Sequence, residues 1–323
     1  MDIKEKTMSN KKYFITSDIH SFFDIFHKAL LDAGFEENNP DHILIVCGDI
    51  FDRGEQPLEV YHYLRNLPKE KRILIRGNHE FLLREMVNRG FSLSHDVSNG
   101  TKETLYLLNQ FSEKEFNILR WEMVKKAPSC GTPEYKKWQE EYDEIITKKE
   151  EALYTTDIIK EILGWIFSDE WVNFYELDKY IFVHSFIPVT EKYNFKTNTE
   201  TLIVSANWRE SSLSNWEDAT WGCPWKSIKK TEKSRTLKGK VIVCGHWHAS
   251  DMWNNLDFAR DYEHHMDLYE MNPIYKSDFC PRLIALDACT AATHGVNILT
   301  IDESMVIECH NHTHFDLEEY KNK

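Results

Sequence analysis

The chain has 323 residues, 41% apolar and 28% charged, which is ample for a sizeable core. Its 53 acidic and 39 basic residues give a formal charge of −14, which argues against a broad grip on nucleic acid but leaves small phosphorylated substrates open, because a local metal site can outweigh the global field. No window approaches the roughly 18 apolar residues of a membrane span and the first twelve residues are polar, so a soluble cytoplasmic protein is expected, its seven cysteines reduced.

Short runs rich in Val, Ile and Phe recur, and most end in a polar motif. Tyr13 to Thr16 leads into Ser17-Asp18-Ile19-His20. A helix is expected from Phe22 to Ala33, with apolar residues at Phe22, Phe23, Phe26, Leu30 and Leu31 and Gly34 as its stop. Ile43 to Cys47 leads into Gly48-Asp49, Leu58 to Leu67 reads as a helix, and Ile73 to Arg76 leads into Gly77-Asn78-His79-Glu80. A further helix over Phe81 to Val87 is closed by Gly90. Runs of β-branched and aromatic residues closed by Gly or polar groups read as buried strands. Their alternation with helices predicts a layered α/β fold, in which ligands bind outside the carboxyl ends of the strands.

From about residue 92 to 171 that rhythm breaks. The stretch is charged and aromatic, with helical apolar spacing from Ile158 to Ile166. It reads as a mostly helical insertion, either a cap or a solvated decoration, within a single domain over 1–323. Tyr180 to Val183 leads into His184, an irregular region follows over 192–238, and Val241 to Cys244 leads into Gly245-His246-Trp247-His248. Strands return at Leu283 to Leu286, Val296 to Ile301 and Met305 to Cys309.

Together the strand ends supply Asp18, His20, Asp49, Asn78, His184, His246 and His248. These are oxygen and imidazole donors with no thiolate among them, a set suited to Mn²⁺, Fe²⁺ or Zn²⁺. Seven candidates exceed the needs of one ion. Two ions about 3.5–4 Å apart that share a carboxylate would use them, and that is the usual geometry for hydrolysing phosphate esters. A lone D-x-H or a single His after a strand is a weak signal. The segments Gly48-Asp49-Ile50-Phe51-Asp52-Arg53-Gly54 and Gly77-Asn78-His79-Glu80 are far more specific, and the common position of all five motifs at strand ends adds to them.

In these motifs and their order the chain resembles the calcineurin-like metallophosphoesterases, in particular the branch holding serine/threonine phosphoprotein phosphatases and diadenosine tetraphosphatases. The resemblance spans residues 18 to 248 but not the stretch 92–171. It implies an α/β/β/α sandwich and two divalent metals, manganese first, with iron or zinc as alternatives. Asp18 and His20 would hold the first metal, Asp49 would bridge, and Asn78, His184 and His246 would complete the second. His248 would join the first site, as in relatives whose last motif is G-H-x-H. His79 would be the general acid, Asp52 would hold its imidazole, and Arg53 would bind phosphate oxygens. Elementary chemistry agrees: two metals lower the pKa of a shared water, a planar guanidinium suits phosphate, and a carboxylate behind an imidazole fixes its tautomer. Ser21 and Phe186 depart from the family's usual small residues, which bears on substrate choice.

The expected substrate is a phosphate monoester, including phosphoserine or phosphothreonine proteins. The alternatives are a phosphodiesterase or pyrophosphohydrolase acting on dinucleoside polyphosphates or cyclic nucleotides, and a non-catalytic binding protein on the same fold. Glu80 reads as structural. Arg209 could reach a substrate phosphate or be a surface residue, Asp287 could support the site or only end a strand, and His310, His312 and His314 sit in a polar tail.

Overall fold

The computed structural model describes residues 11–111, 113–231, 237–252, 255, 269–270, 281–302 and 307–310. The first part alternates strand and helix: β1 (Lys12–Thr16), α1 (Phe23–Asp32), β2 (His42–Cys47), α2 (Pro57–Asn66), β3 (Arg72–Ile75) and α3 (Asn78–Arg89). Five helices follow, α4 (Ser94–Asn99), α5 (Thr101–Leu108), α6 (Glu113–Val124), α7 (Pro133–Leu153) and α8 (Asp157–Ile166). Then come β4 (Trp171–Val172), β5 (Tyr175–Leu177), β6 (Tyr180–Phe182), β7 (Thr190–Asn194), β8 (Thr199–Ile203), α9 (Leu213–Thr220) and α10 (Pro224–Lys230). The rest comprises β9 (Val241–Cys244), α11 (Ala249–Met252), β10 (Tyr269–Glu270), β11 (Arg282–Ala285), α12 (Thr290–Thr293), β12 (Ile298–Asp302) and β13 (Ile307–His310).

Two mixed sheets form, in the orders β13-β12-β1-β2-β3-β4 and β10-β11-β9-β6-β5, and β7 and β8 make a separate hairpin. β1 to β4 run parallel, as do β6, β9 and β11. The period-2 alternation of these strands explains the layering. Tyr13, Ile15, Ile43, Ile45 and Ile75 of the first sheet meet Tyr180, Phe182, Val241, Val243 and Ile284 of the second in one apolar cluster between the sheets. The intervening residues face outward. Phe14, Leu44, Val46 and Leu74 pack under α1, α2, α3, α5 and α8, while Ile181, Ile242, Cys244 and Leu283 pack with Trp208, Trp216 and Ile228. The layers are therefore α/β/β/α, as expected.

Two features differ from the sequence reading. The helix expected from Phe81 begins at Asn78, which puts Asn78 and His79 in its first turn. The cause is Glu80, whose carboxylate reaches back to accept the N–H of Gly77 at 2.6 Å and so starts the helix early. Within the stretch read as cap or decoration, α5 and α8 bury Leu105, Tyr106, Leu108, Ile159, Ile162 and Ile166 in the main core, while much of α6 and α7 stays exposed. The strand expected over 305–309 is described from Ile307; His312 and His314 lie outside the described residues.

Candidate metal centre

The loops after β1 and β2 lie side by side. Backbone N–H groups of Asp18, His20 and Ser21 donate to the carbonyls of Gly48, Asp49 and Ile50 at 2.8–3.1 Å. Asp18, His20, Asp49, Asp52 and Arg53 all have positive φ, between 50° and 73°, as does His246 at 68°. Non-glycine residues seldom adopt that region, so strain is concentrated on the residues that converge here. Glu80 makes it affordable by accepting from three backbone N–H groups, those of Gly77, Asp49 and Ile50, at 2.6–3.0 Å. Gly48 is required by approach as well as by its φ of +82°: a Cβ there would stand 2.6 Å from the Gly77 nitrogen and 2.7 Å from His184 Nδ1. At Gly245 a Cβ would fall 1.9 Å from Asp18 Oδ2.

The imidazoles are set by backbone. His20 Nδ1 donates to the Phe51 carbonyl at 2.9 Å and His184 Nδ1 to the Cys47 carbonyl at 2.8 Å. His246 has a ring hydrogen bond to the backbone of Trp221. Burial first, then neighbouring imidazoles, hold all three below the ordinary histidine range, His246 at about 3. They are therefore neutral near pH 7, and in His20 and His184 the lone pair sits on Nε2.

Those lone pairs converge on Asp49. His184 Nε2 lies 3.3 Å from Asp49 Oδ1, and His20 Nε2 lies 3.9 Å from Asp49 Oδ2. Asn78 Oδ1 is 2.8 Å from His184 Nε2. Asp49 Oδ1 also accepts the His79 N–H at 3.0 Å, which fixes the carboxylate's plane. Acceptors facing acceptors without a proton between them are repulsive, and a cation relieves that repulsion. Among the described residues, two groups of donors lie close enough to hold an ion, His20 with Asp49 and His79, and Asp49 with His184 and His246. Asp49 is common to both. The donors, oxygen and imidazole throughout, fit two divalent metals.

The other carboxylates add to the demand for positive charge. Burial and then Asp287 push Asp18 well above the usual carboxylate range, and burial followed by Asp18 and Glu80 does the same to Asp49. Asp18 lies outside both groups: its Oδ1 is 3.9 Å from His20 Nε2, and its two oxygens accept the His246 N–H at 3.0 and 3.2 Å. His248 is also outside them. Its side chain is 40% exposed, its Nε2 is 4.0 Å from Asp287 Oδ2, and a hydrogen bond to Cys289 raises it to about 9. Asp287 is buried, accepts the Cys289 N–H at 2.7 Å in a local turn, and is the carboxylate beside His248.

His79 completes the near side. Its Nδ1 donates to Asp52 Oδ2 at 2.6 Å, so Nε2 faces the centre. Arg53 spans the front, with Nη1 3.0 Å from His20 Nε2 and Nη2 3.4 Å from His79 Nε2. Arg209 is engaged elsewhere, in a two-pronged ion pair with Glu176 at 2.7 and 2.8 Å while its guanidinium lies over Trp208. Two participants escaped the sequence reading: Thr101, whose hydroxyl reaches Asp52, and Trp221, whose backbone holds His246. Neither belongs to a motif, and only the fold brings them near.

Comparison with known proteins gives the centre its context. Bis(5'-nucleosyl)-tetraphosphatase (asymmetrical) of Halalkalibacterium halodurans is 30% identical over 112 residues, 32% of this chain and 44% of that protein. The match thus spans less than half the length of the curated relative. Among solved structures, a cold-active protein-tyrosine phosphatase of a psychrophilic Shewanella is 13% identical over 93% of this chain and 80% of its own, with a TM-score of 0.45. A serine/threonine phosphatase of Saccharomyces cerevisiae is 12% identical over 96% and 83%, with a TM-score of 0.44. The family model for calcineurin-like phosphoesterases matches residues 11–250, which include every strand-end motif gathered at the centre, and the chain belongs to that family.

Proposed function

We propose that this chain hydrolyses phosphate esters at a two-metal centre bridged by Asp49. The observation that carries the reading is the division of the Asp49 carboxylate, one oxygen facing His184 and the other facing His20 and His79. In this reading Asp18 and His20, with His248 at the rim, would hold one divalent ion. Asn78, His184 and His246 would hold the other, with manganese, iron or zinc as the candidates. Bound metals would supply charge neutralisation and a water of lowered pKa.

The chain's own groups account for the remaining needs. Arg53 offers its planar fork to the phosphoryl oxygens. Attack by water forms one P–O bond as the bond to the leaving group breaks. His79 gives its Nε2 proton to the departing oxygen, while Nδ1–H stays on Asp52. The products are an alcohol and phosphate, and the proton released by the attacking water restores the balance. Neutral Nε2 atoms, rather than charged imidazolium, are what burial selects at His20 and His184.

The substrate assigned here is a phosphate monoester, with phosphoserine and phosphothreonine in proteins as candidates. A second reading, hydrolysis of dinucleoside polyphosphates, is favoured by the similarity to a bis(5'-nucleosyl)-tetraphosphatase. Rates on p-nitrophenyl phosphate, its bis-ester and diadenosine tetraphosphate, with added Mn²⁺, separate them. Fastest turnover of the monoester is expected. Preference for the tetraphosphate would transfer the assignment to the second reading, and no hydrolysis of any of the three would overturn both.

A further inference from the structure

We infer that Thr101, the first residue of α5, is a positioning residue for His79 that acts through Asp52. The inference rests on the reading of His79 as the proton donor. Asp52 is fully buried, and its Oδ2 accepts from two donors at once, His79 Nδ1 at 2.6 Å and Thr101 Oγ1 at 2.6 Å. Its other oxygen is buried and has no hydrogen-bond partner among the described residues. The carboxylate is therefore aimed through one atom by two donors. With the hydroxyl gone, only the imidazole would aim it, and the imidazole is the group that has to be held.

Thr101 is well placed for the task. It is fully buried, and its hydroxyl does not cap its own helix. The preceding Gly100, at φ +85°, brings the start of α5 against the loop that carries Asp52 and Arg53: a Cβ at Gly100 would stand 2.6 Å from the Arg53 nitrogen. Behind Thr101, Leu105, Tyr106 and Leu108 anchor α5 in the core shared with α2, α3 and α8. The contact joins residues 49 positions apart in sequence, from outside the strand-end motifs. In this way the helical stretch after α3 reaches the proton donor through α5.

The test compares two leaving groups. A phenolate leaves with difficulty unless protonated, whereas p-nitrophenolate needs little help, so a misaligned proton donor slows only the first. Thr101→Val is expected to lower kcat on phenyl phosphate by about tenfold, part of the roughly 10²–10⁴-fold a general acid supplies. On p-nitrophenyl phosphate it should change kcat less than about threefold, with KM unaltered on both. Thr101→Ser, which keeps the hydroxyl, should restore the phenyl phosphate rate. In parallel, the proton NMR signal of His79 Nδ1–H, downfield in the wild type, should move upfield in Thr101→Val and return in Thr101→Ser. Equal losses on both esters, or no rescue by Ser, would overturn the inference. If the wild type hydrolysed neither ester, the phosphoesterase reading would fall and the NMR signal alone would decide the Thr101 arrangement.

Discussion

The two sides of the centre are built differently. The side carried by β1, β2 and β3 is dense. Asp18, His20, Asp49, Asp52 and Arg53 all sit at positive φ, their loops are bonded to each other, and Glu80 and Thr101 brace them from behind. The side carried by β6 and β9 opens towards its rim. His184 is buried with its ring between the Cys47 carbonyl and Asn78, and His246, also at positive φ, donates its N–H to Asp18, but Trp221 beside it is 48% exposed and the His248 side chain is 40% exposed. Stored strain and buried polar contacts mark a preorganised surface, and loosely held groups mark one that can adjust to what it binds. On the proposed function, the reaction geometry would rest on the first side and adaptation to substrate on the exposed rim of the second.

The sharpest way to break this comparison is to substitute the two sides in turn. On the dense side, Asp49→Asn or His79→Ala should lower kcat by roughly 10²–10⁴-fold, measured on p-nitrophenyl phosphate for Asp49 and on phenyl phosphate for His79. Near-wild-type rates there would contradict the assignment of the reaction to that side. Next in size is the cradle itself. Gly48→Ala adds both a strained φ and a clash with Gly77 and His184, and should cost about 1–3 kcal/mol in urea unfolding together with weaker metal binding. On the more open side, His248→Ala should reduce turnover by roughly tenfold, the low end for a group that supports a metal site, because the residue lies outside both donor groups. A loss as deep as that of Asp49→Asn would erase the distinction between the sides.

The smallest effect concerns the far end of the helical stretch. Glu170, just past α8, is contacted by Lys69, Arg72 and Arg65 at 2.6–3.0 Å. Burial pushes its carboxyl up, but hydrogen bonds from Lys69 and Arg72 and the charge of Arg65 prevail and bring it down to about 2 from 4.5. A depressed carboxylate means the unfolded chain binds the proton first. The stabilisation is therefore complete above pH 4.5 and is lost as pH falls towards 2. Glu170→Gln should lower the melting temperature by a few degrees at pH 6 and by less at pH 3. An equal loss at both pH values would mean that the charge contributes nothing.

The strands and their polar ends could be read directly, because buried strands closed by Gly and Asp leave a pattern within each segment. That pattern located β1, β2, β3, β6 and β9 and brought their motifs to one face. The start of α3 was misread by three residues, since Asn78-His79-Glu80 looks like a loop motif until Glu80 is seen to bond Gly77. Thr101 and the Trp221 backbone were illegible for a different reason. Each acts across a gap that no local spacing encodes, from segments with no periodic or chemical signature of a site. The position of His248 depends on Asp287 and Cys289, which lie some forty residues further along the chain.

Asp49 shared between two ions is the centre of the account, and a metal titration tests it most directly. Protein stripped with chelator and titrated with Mn²⁺ should bind two ions per chain and gain most of its p-nitrophenyl phosphate activity with the second. The Asp49→Asn variant should lose both the stoichiometry and the activity. Full activity at one equivalent, or two-ion binding unaltered in Asp49→Asn, would contradict a bridge at Asp49.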